Sequence, residues 1–215
     1  MYSAPQAVRA FLPRINEEEA ARSVRAFLSD STVYLDFNCP EILGREFWSE
    51  KRPRSEGRKA HGWFFMRQWN CAVSSITDLE KTQLVAKFAS FYPQWTIAAQ
   101  NDGSMAYHDE TTAQRVLAAS VFISNFKSQI EAEGLDGLRE NLSKDLHLLE
   151  SNEFYAGANN HGMFQNIALL VAYEYGFVNE SAQSLAIERL VDYFNSCFTM
   201  DGIHTENNPT YHVMV

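Results

Sequence analysis

Cysteine is scarce in this chain: Cys39, Cys71 and Cys197 are the whole supply. They are odd in number and far apart, which excludes a disulfide framework and the paired spacing of a thiolate metal centre. They read as small buried hydrophobes. No run of about eighteen apolar residues occurs, so no membrane-spanning helix is predicted. The first stretch, Met1 to Arg14, lacks the apolar core of a secretory signal, and localisation stays open. Positive charge is also in deficit, with 18 Lys and Arg against 27 Asp and Glu and a net charge of −9. That balance excludes a general nucleic-acid or anionic-membrane binder. A polyanionic substrate would need a local basic patch against this background. Strand signals are nearly absent too.

What is present is helix and aromatic side chains. At 215 residues and 46% hydrophobic, the chain can bury one sizeable core in one or at most two domains. Aromatics are abundant, at 15 Phe, 9 Tyr and 4 Trp. They fill cores and also line sugar-binding clefts, so their number alone decides nothing.

Residues 16–29 open with Asn16 and three glutamates, a helix start, and carry apolar Val24, Phe27 and Leu28. Residues 31–60 are less regular. Val33 to Phe37 reads as a short strand or extended chain, and Asn38-Cys39-Pro40 as a turn. Residues 45–59 hold Arg45, Lys51, Arg52, Arg54, Arg58 and Lys59 with glutamates between them, either a solvated loop or an arm that meets a polyanion. The run His61 to Trp69 is too apolar to be exposed and predicts a buried helix or a cleft lining.

Thr77-Asp78 caps an amphipathic helix over 77–92 that Pro93 should stop. Residues 94–108 read as a loop. A long helix is predicted from Asp109 to about Glu133, with an apolar stripe through Val116, Ala119, Ile123, Phe126 and Ile130, ended by Gly134. Further helices are predicted over 138–154, 160–175 and 180–199, the last with Ile187, Leu190, Val191, Phe194 and Phe198 on one face. Short loops make the neighbours antiparallel hairpins, recurring at roughly forty-residue intervals. The fold class is therefore all-α, as a bundle, a solenoid or an incomplete toroid of helical pairs. Residues 1–60 read as an N-terminal helix and basic arm, and 61–215 as the helical domain.

Three segments hold chemistry. Asn159-Asn160-His161-Gly162 lies at a helix start, where Asn is a favoured cap. The same place attracts anions, disfavours a protonated His161 and lets an Asn amide donate to a carboxylate. In Tyr107-His108-Asp109-Glu110-Thr111-Thr112-Ala113-Gln114-Arg115, His108 and Arg115 fall on one face if both are helical, and Arg115 can clamp a carboxylate. The alternative is a cap at Asp109 and an Arg paired with an acid. The closing stretch Asp201 to His212 is polar and loop-like, and dense in proton-carrying groups: His204, Glu206, Tyr211 and His212. Two His and a carboxylate there also compose a possible metal set.

Taken together, these three segments resemble the heparinase II/III-like polysaccharide lyases, a group that includes alginate and oligoalginate lyases. The resemblance spans roughly residues 60 to 215. It implies an incomplete (α/α) toroid built of helical hairpins, with the family's large β-sandwich and further catalytic groups beyond Val215. It implies β-elimination on an acidic polysaccharide, with no cofactor and no metal. The Asn matching Asn160 neutralises a uronate carboxylate, His161 assists, and the Tyr matching Tyr211 is the catalytic base or acid. Arg115, His108, His204, Glu206 and His212 are then expected to bind substrate. The oligomeric state is not addressed by these features. A non-catalytic glycan-binding domain and a toroidal glycoside hydrolase using two carboxylates are the competing readings.

Overall fold

The computed structural model describes residues 15–30, 32–34, 38–39, 47–48, 52–101 and 104–199. Its elements, in order, are α1 (Glu17–Asp30), β1 (Val33–Tyr34), β2 (Asn38–Cys39), α2 (Arg54–His61), α3 (Phe65–Ala72), α4 (Asp78–Ala99) and a 3₁₀ turn (Met105–Tyr107). Then follow α5 (Asp109–Asn125), α6 (Lys127–Ala132), α7 (Asp136–Glu150), α8 (Asn160–Glu174) and α9 (Glu180–Cys197). The protein is all-α. The two strands are two residues each and pair antiparallel, Val33 with Cys39 and Tyr34 with Asn38.

Helix α5 is the hub. Every residue from Thr111 to Ile123 is buried, not only the stripe its sequence suggests. The reason is position: α5 packs against α2, α3, α7 and α8. Small residues (Ala113, Ala118, Ala119, Ser120) allow that close approach on several sides. The polar members Thr111, Thr112, Gln114, Arg115 and Ser120 are buried with the apolar ones, because neighbours cover the helix on several sides.

The aromatics fill the core. Phe88 meets Phe91 edge-on at 5.1 Å and Phe122 at 5.5 Å, and Trp69 lies 4.7 Å from both Phe27 and Phe65. Such offset and edge-on pairs add to simple burial. The run His61 to Trp69 therefore belongs to the core rather than to a cleft. It is not one helix, however. It breaks at residues 62–64, where buried Trp63 takes a left-handed φ of 52°. That conformation costs a non-glycine residue on the order of 1 kcal/mol. Packing against Trp95, at 4.7 Å between rings, offsets the cost.

Other boundaries differ from the sequence expectation in instructive ways. Helix α4 continues through Pro93 to Ala99. Beyond the proline, Trp95, Ala98 and Ala99 are buried, and Trp95 stacks on Tyr92. Burying these groups is worth a few kcal/mol, comparable with the ~3 kcal/mol a mid-helix proline costs. The predicted loop over 94–108 thus shrinks to the few residues after Ala99. The helix predicted over 109–133 is split at Phe126, whose φ of −117° interrupts it. The proposed division at residue 60 falls inside α2, and α1 shares the core with the later helices.

On α9, Ile187, Val191 and Phe194 face outward, at 48%, 54% and 46% exposure. The buried face is instead Ala182, Ala186, Arg189 and Tyr193. Small alanines let α9 lie close on α8, a preference that counting large apolar residues misses. No described helix is long and apolar enough to cross a membrane.

Candidate active site at two helix starts

Two helices begin side by side, and their first turns carry the chemistry. The chain enters α5 at His108, with extended backbone, and Asp109 and Glu110 follow in the first turn. It enters α8 at Asn159, whose side-chain oxygen accepts from Gly162 N at 3.0 Å. The cap is therefore Asn159. Asn160 is the first helical residue, half-buried, and makes no side-chain hydrogen bond among the described residues.

The start of α8 is held tightly. Asn159 Nδ2 donates to Ala156 O at 2.6 Å, Gln165 Oε1 accepts from Ala156 N at 2.9 Å, and Gln165 Nε2 donates to Phe154 O at 3.1 Å. Gly157 turns the chain with a φ of 87°, where a side chain would be strained. Its carbonyl lies so close to Gly162 that a Cβ at residue 162 would meet it at 2.0 Å. From α9, Arg189 donates to Leu149 O, Glu150 O and Asn152 Oδ1, tying the end of α7 to the start of this turn.

The start of α5 is fixed from behind. Arg115 is fully buried and bidentate on Asp145, with Nε and Nη2 each 2.8 Å from a carboxylate oxygen. Its Nη1 donates to Ala106 O at 2.6 Å and His61 O at 3.1 Å. Arg115 is therefore an internal strut that anchors the turn just before His108. This corrects the expectation that it clamps a substrate carboxylate. Burial decides the matter: the side chain is fully buried, and four of its five N–H groups are taken by Asp145, Ala106 and His61.

Between the two helix starts, His161 Nδ1 lies 3.0 Å from Asp109 Oδ1. A carboxylate only accepts, so Nδ1 carries the proton. The other ring nitrogen, Nε2, is 3.5 Å from Glu110 Oε2. His108 Nδ1 is 2.8 Å from the same Asp109 Oδ1, but off the line of a hydrogen bond, and this buried nitrogen has no hydrogen-bond partner. The two imidazoles stand edge-on, 5.5 Å apart. Asp109 Oδ1 also accepts from Glu110 N at 2.5 Å.

Two arginines of α2 complete the cluster. Arg54 Nη2 is 2.6 Å from His108 Nε2, and Arg58 Nη1 is 2.5 Å from Glu110 Oε2. Guanidinium only donates, so His108 Nε2 accepts. The His108 pKa is lowered by burial first, then by the charges of Arg54, His161 and Arg58, while Asp109 opposes. The imidazole is thus favoured neutral. The C-terminal part of the basic arm lies beside the site, as an ordered helix rather than a loop.

Of the expected site residues, the structure brings Asn160, His161 and His108 to one place and moves Arg115 behind it. Tyr211, His204, Glu206 and His212 lie outside the described residues. Sequence reasoning gave Asp109 and Glu110 no part in the lyase reading, where both read as first-turn acids, and enlisted them only as carboxylates for the competing hydrolase. It read Arg54 and Arg58 only as members of an arm that is either a solvated loop or meets a polyanion. Their i, i+4 spacing places them on one face of a helix, the one signal that was available. Comparison with known protein families, curated proteins and solved structures gave no match.

Proposed function

We propose that this chain is the helical, toroid-type part of a lyase that cleaves a uronic-acid-containing polysaccharide by β-elimination. The observation that carries the reading is the His161–Asp109 contact. It joins two of the three segments on which the lyase resemblance rests.

The chemistry follows from the groups present. A uronate carboxylate needs donors and positive potential. Two helix N-termini point to the same place, and the Asn160 amide is uncommitted there. Arg54 and Arg58 add charge suited to a polyanion and offset the acids of the cluster. In the reaction a base takes the C5 proton, α to the carboxylate. The electron pair forms the C4=C5 double bond, the C4–O bond breaks, and the leaving oxygen takes a proton. Negative charge grows on the carboxylate in the transition state, so Asn160 stabilises it most when it matters. His161, oriented by Asp109, assists at the carboxylate. Tyr211 moves the proton to or from the sugar. His108, His204, Glu206 and His212 bind neighbouring sugar units. No cofactor takes part in these steps.

The test is an incubation of this chain, and of any longer form of it, with alginate, heparan sulfate and hyaluronan while ultraviolet absorbance of the unsaturated uronate is followed. Product that disappears in Asn160→Ala and Tyr211→Phe supports the proposal. New reducing ends without the chromophore indicate hydrolysis. Binding with neither product indicates a glycan-binding module.

A further inference from the structure

We infer that His108, Asp109 and His161 form a binding site for one divalent first-row transition ion, with zinc the best fit. This does not rest on the lyase proposal, since the ion would bind whether or not a glycan is cleaved.

Among the described residues these three are the group whose ligand atoms converge, all within 4.8 Å of one another. Two distances are tighter: His108 Nδ1 and His161 Nδ1 lie 2.8 and 3.0 Å from the same oxygen of Asp109. Ligands about 2.0–2.1 Å from a tetrahedral ion are about 3.3 Å apart, so each histidine nitrogen would draw back from Asp109 by a few tenths of an ångström to admit one. The donors are two imidazoles and one carboxylate. That set suits zinc, iron or manganese better than calcium or magnesium, which take oxygen. Three protein ligands leave a position open for water or substrate.

Two further observations point the same way. His108 Nδ1 is buried against Asp109 without a hydrogen bond, an orphaned donor-acceptor atom turned into the cluster. His161 Nε2 faces Glu110, the outer carboxylate that commonly receives the second ring proton of a metal-bound histidine.

Binding requires a proton shift in each ring. In His161 the proton moves from Nδ1 to Nε2, towards Glu110. In His108 it moves from Nδ1 to Nε2, where Arg54 now donates, so the exposed Arg54 must turn away. Arg54 is thus a competitor for the ion. It holds the wrong tautomer and adds a positive charge. An ion there would bring its own charge to the two helix starts, where a uronate carboxylate would be received.

The experiment is a calorimetric titration of chelator-treated protein with zinc chloride, repeated with magnesium and calcium. One equivalent of zinc is expected to bind, without comparable binding of the other two. Asp109→Asn and His161→Gln should abolish it, and Glu110→Gln should weaken it by about tenfold. Arg54→Ala should tighten it, an outcome that loss of folding cannot imitate. Cobalt(II) gives a second reading without any variant. Intense visible d–d bands mark a four- or five-coordinate site, whereas the faint bands of the hexaaqua ion mark none. No zinc binding, binding unchanged in Asp109→Asn and His161→Gln, or weaker binding in Arg54→Ala would each overturn the assignment.

Discussion

His161 Nδ1 sits 3.0 Å from Asp109 Oδ1, although 52 residues separate them in sequence. Each lies in the first turn of its own helix, so the contact aligns two helix N-termini on one small volume. Dipoles, acids, imidazoles and arginines then meet within one cluster. Some of these groups build the arrangement and others are expected to act in it, and substitution separates the two.

Asn159 and Asn160 are adjacent but should behave oppositely. Asn159 caps α8, so Asn159→Ala should cost about 1 kcal/mol of stability in denaturant unfolding. Asn160 makes no side-chain hydrogen bond among the described residues. Asn160→Ala should therefore leave stability within about 0.5 kcal/mol while removing turnover.

Arg115 and Asp145 should be far more sensitive singly than together. Arg115→Met leaves a buried carboxylate unpaired and should cost about 3–5 kcal/mol. The double change Arg115→Met with Asp145→Leu should cost less than the single one. Urea unfolding of Arg115→Met, Asp145→Leu and the double variant checks both statements.

Gly162→Ala places a methyl against the carbonyl of Gly157, at 2.0 Å before relaxation. The 155–159 turn must move, and His161 with it. A loss of about 1–3 kcal/mol is expected, measured as a lower Tm.

His61 gives a pH dependence of stability. It is buried, and burial first, then the charges of Arg115 and Arg52, lower its pKa to about 4. The folded state therefore holds it neutral where the unfolded chain, with a pKa of about 6.5, binds a proton. Its contribution is fully present above pH 6.5 and is lost as pH falls from there through about 4, up to about 3 kcal/mol in all. His61→Gln should flatten that part of the stability profile, measured by denaturant midpoints between pH 4 and 7.

The helix starts at 77, 109 and 160 were legible in the sequence because caps and first-turn acids are local signals. Thr77 and Glu80 indeed form a reciprocal capping box, with Glu80 N to Thr77 Oγ1 at 3.1 Å. Burial was less legible. Arg115 is open between a substrate clamp and an ion pair until Asp145, thirty residues on, is found beside it. Ile187, Val191 and Phe194 look like a core face until the alanines opposite prove to pack closer. Pro93 looks like a stop because local strain is visible in sequence and the burial of Trp95 is not. The site was half legible. Its residues sit in recognisable turns, but the pairing of Asp109 with His161 and of Arg58 with Glu110 depends on how α5, α8 and α2 pack, and no short-range pattern encodes that.

The central claim is that these two helix starts act as one site for β-elimination. Its most direct test is the initial rate of unsaturated uronate formation for the unmodified chain, Asn160→Ala, Asp109→Ala, His161→Ala and the Asp109/His161 double variant. The account predicts product from this chain or a longer form of it, and a loss of about 10²-fold or more in each single variant made in the active form. The double variant should be no slower than the worse of its two singles, as groups acting as a unit behave. No unsaturated product from any uronate polymer, or product whose rate is untouched by all three single changes, would contradict it.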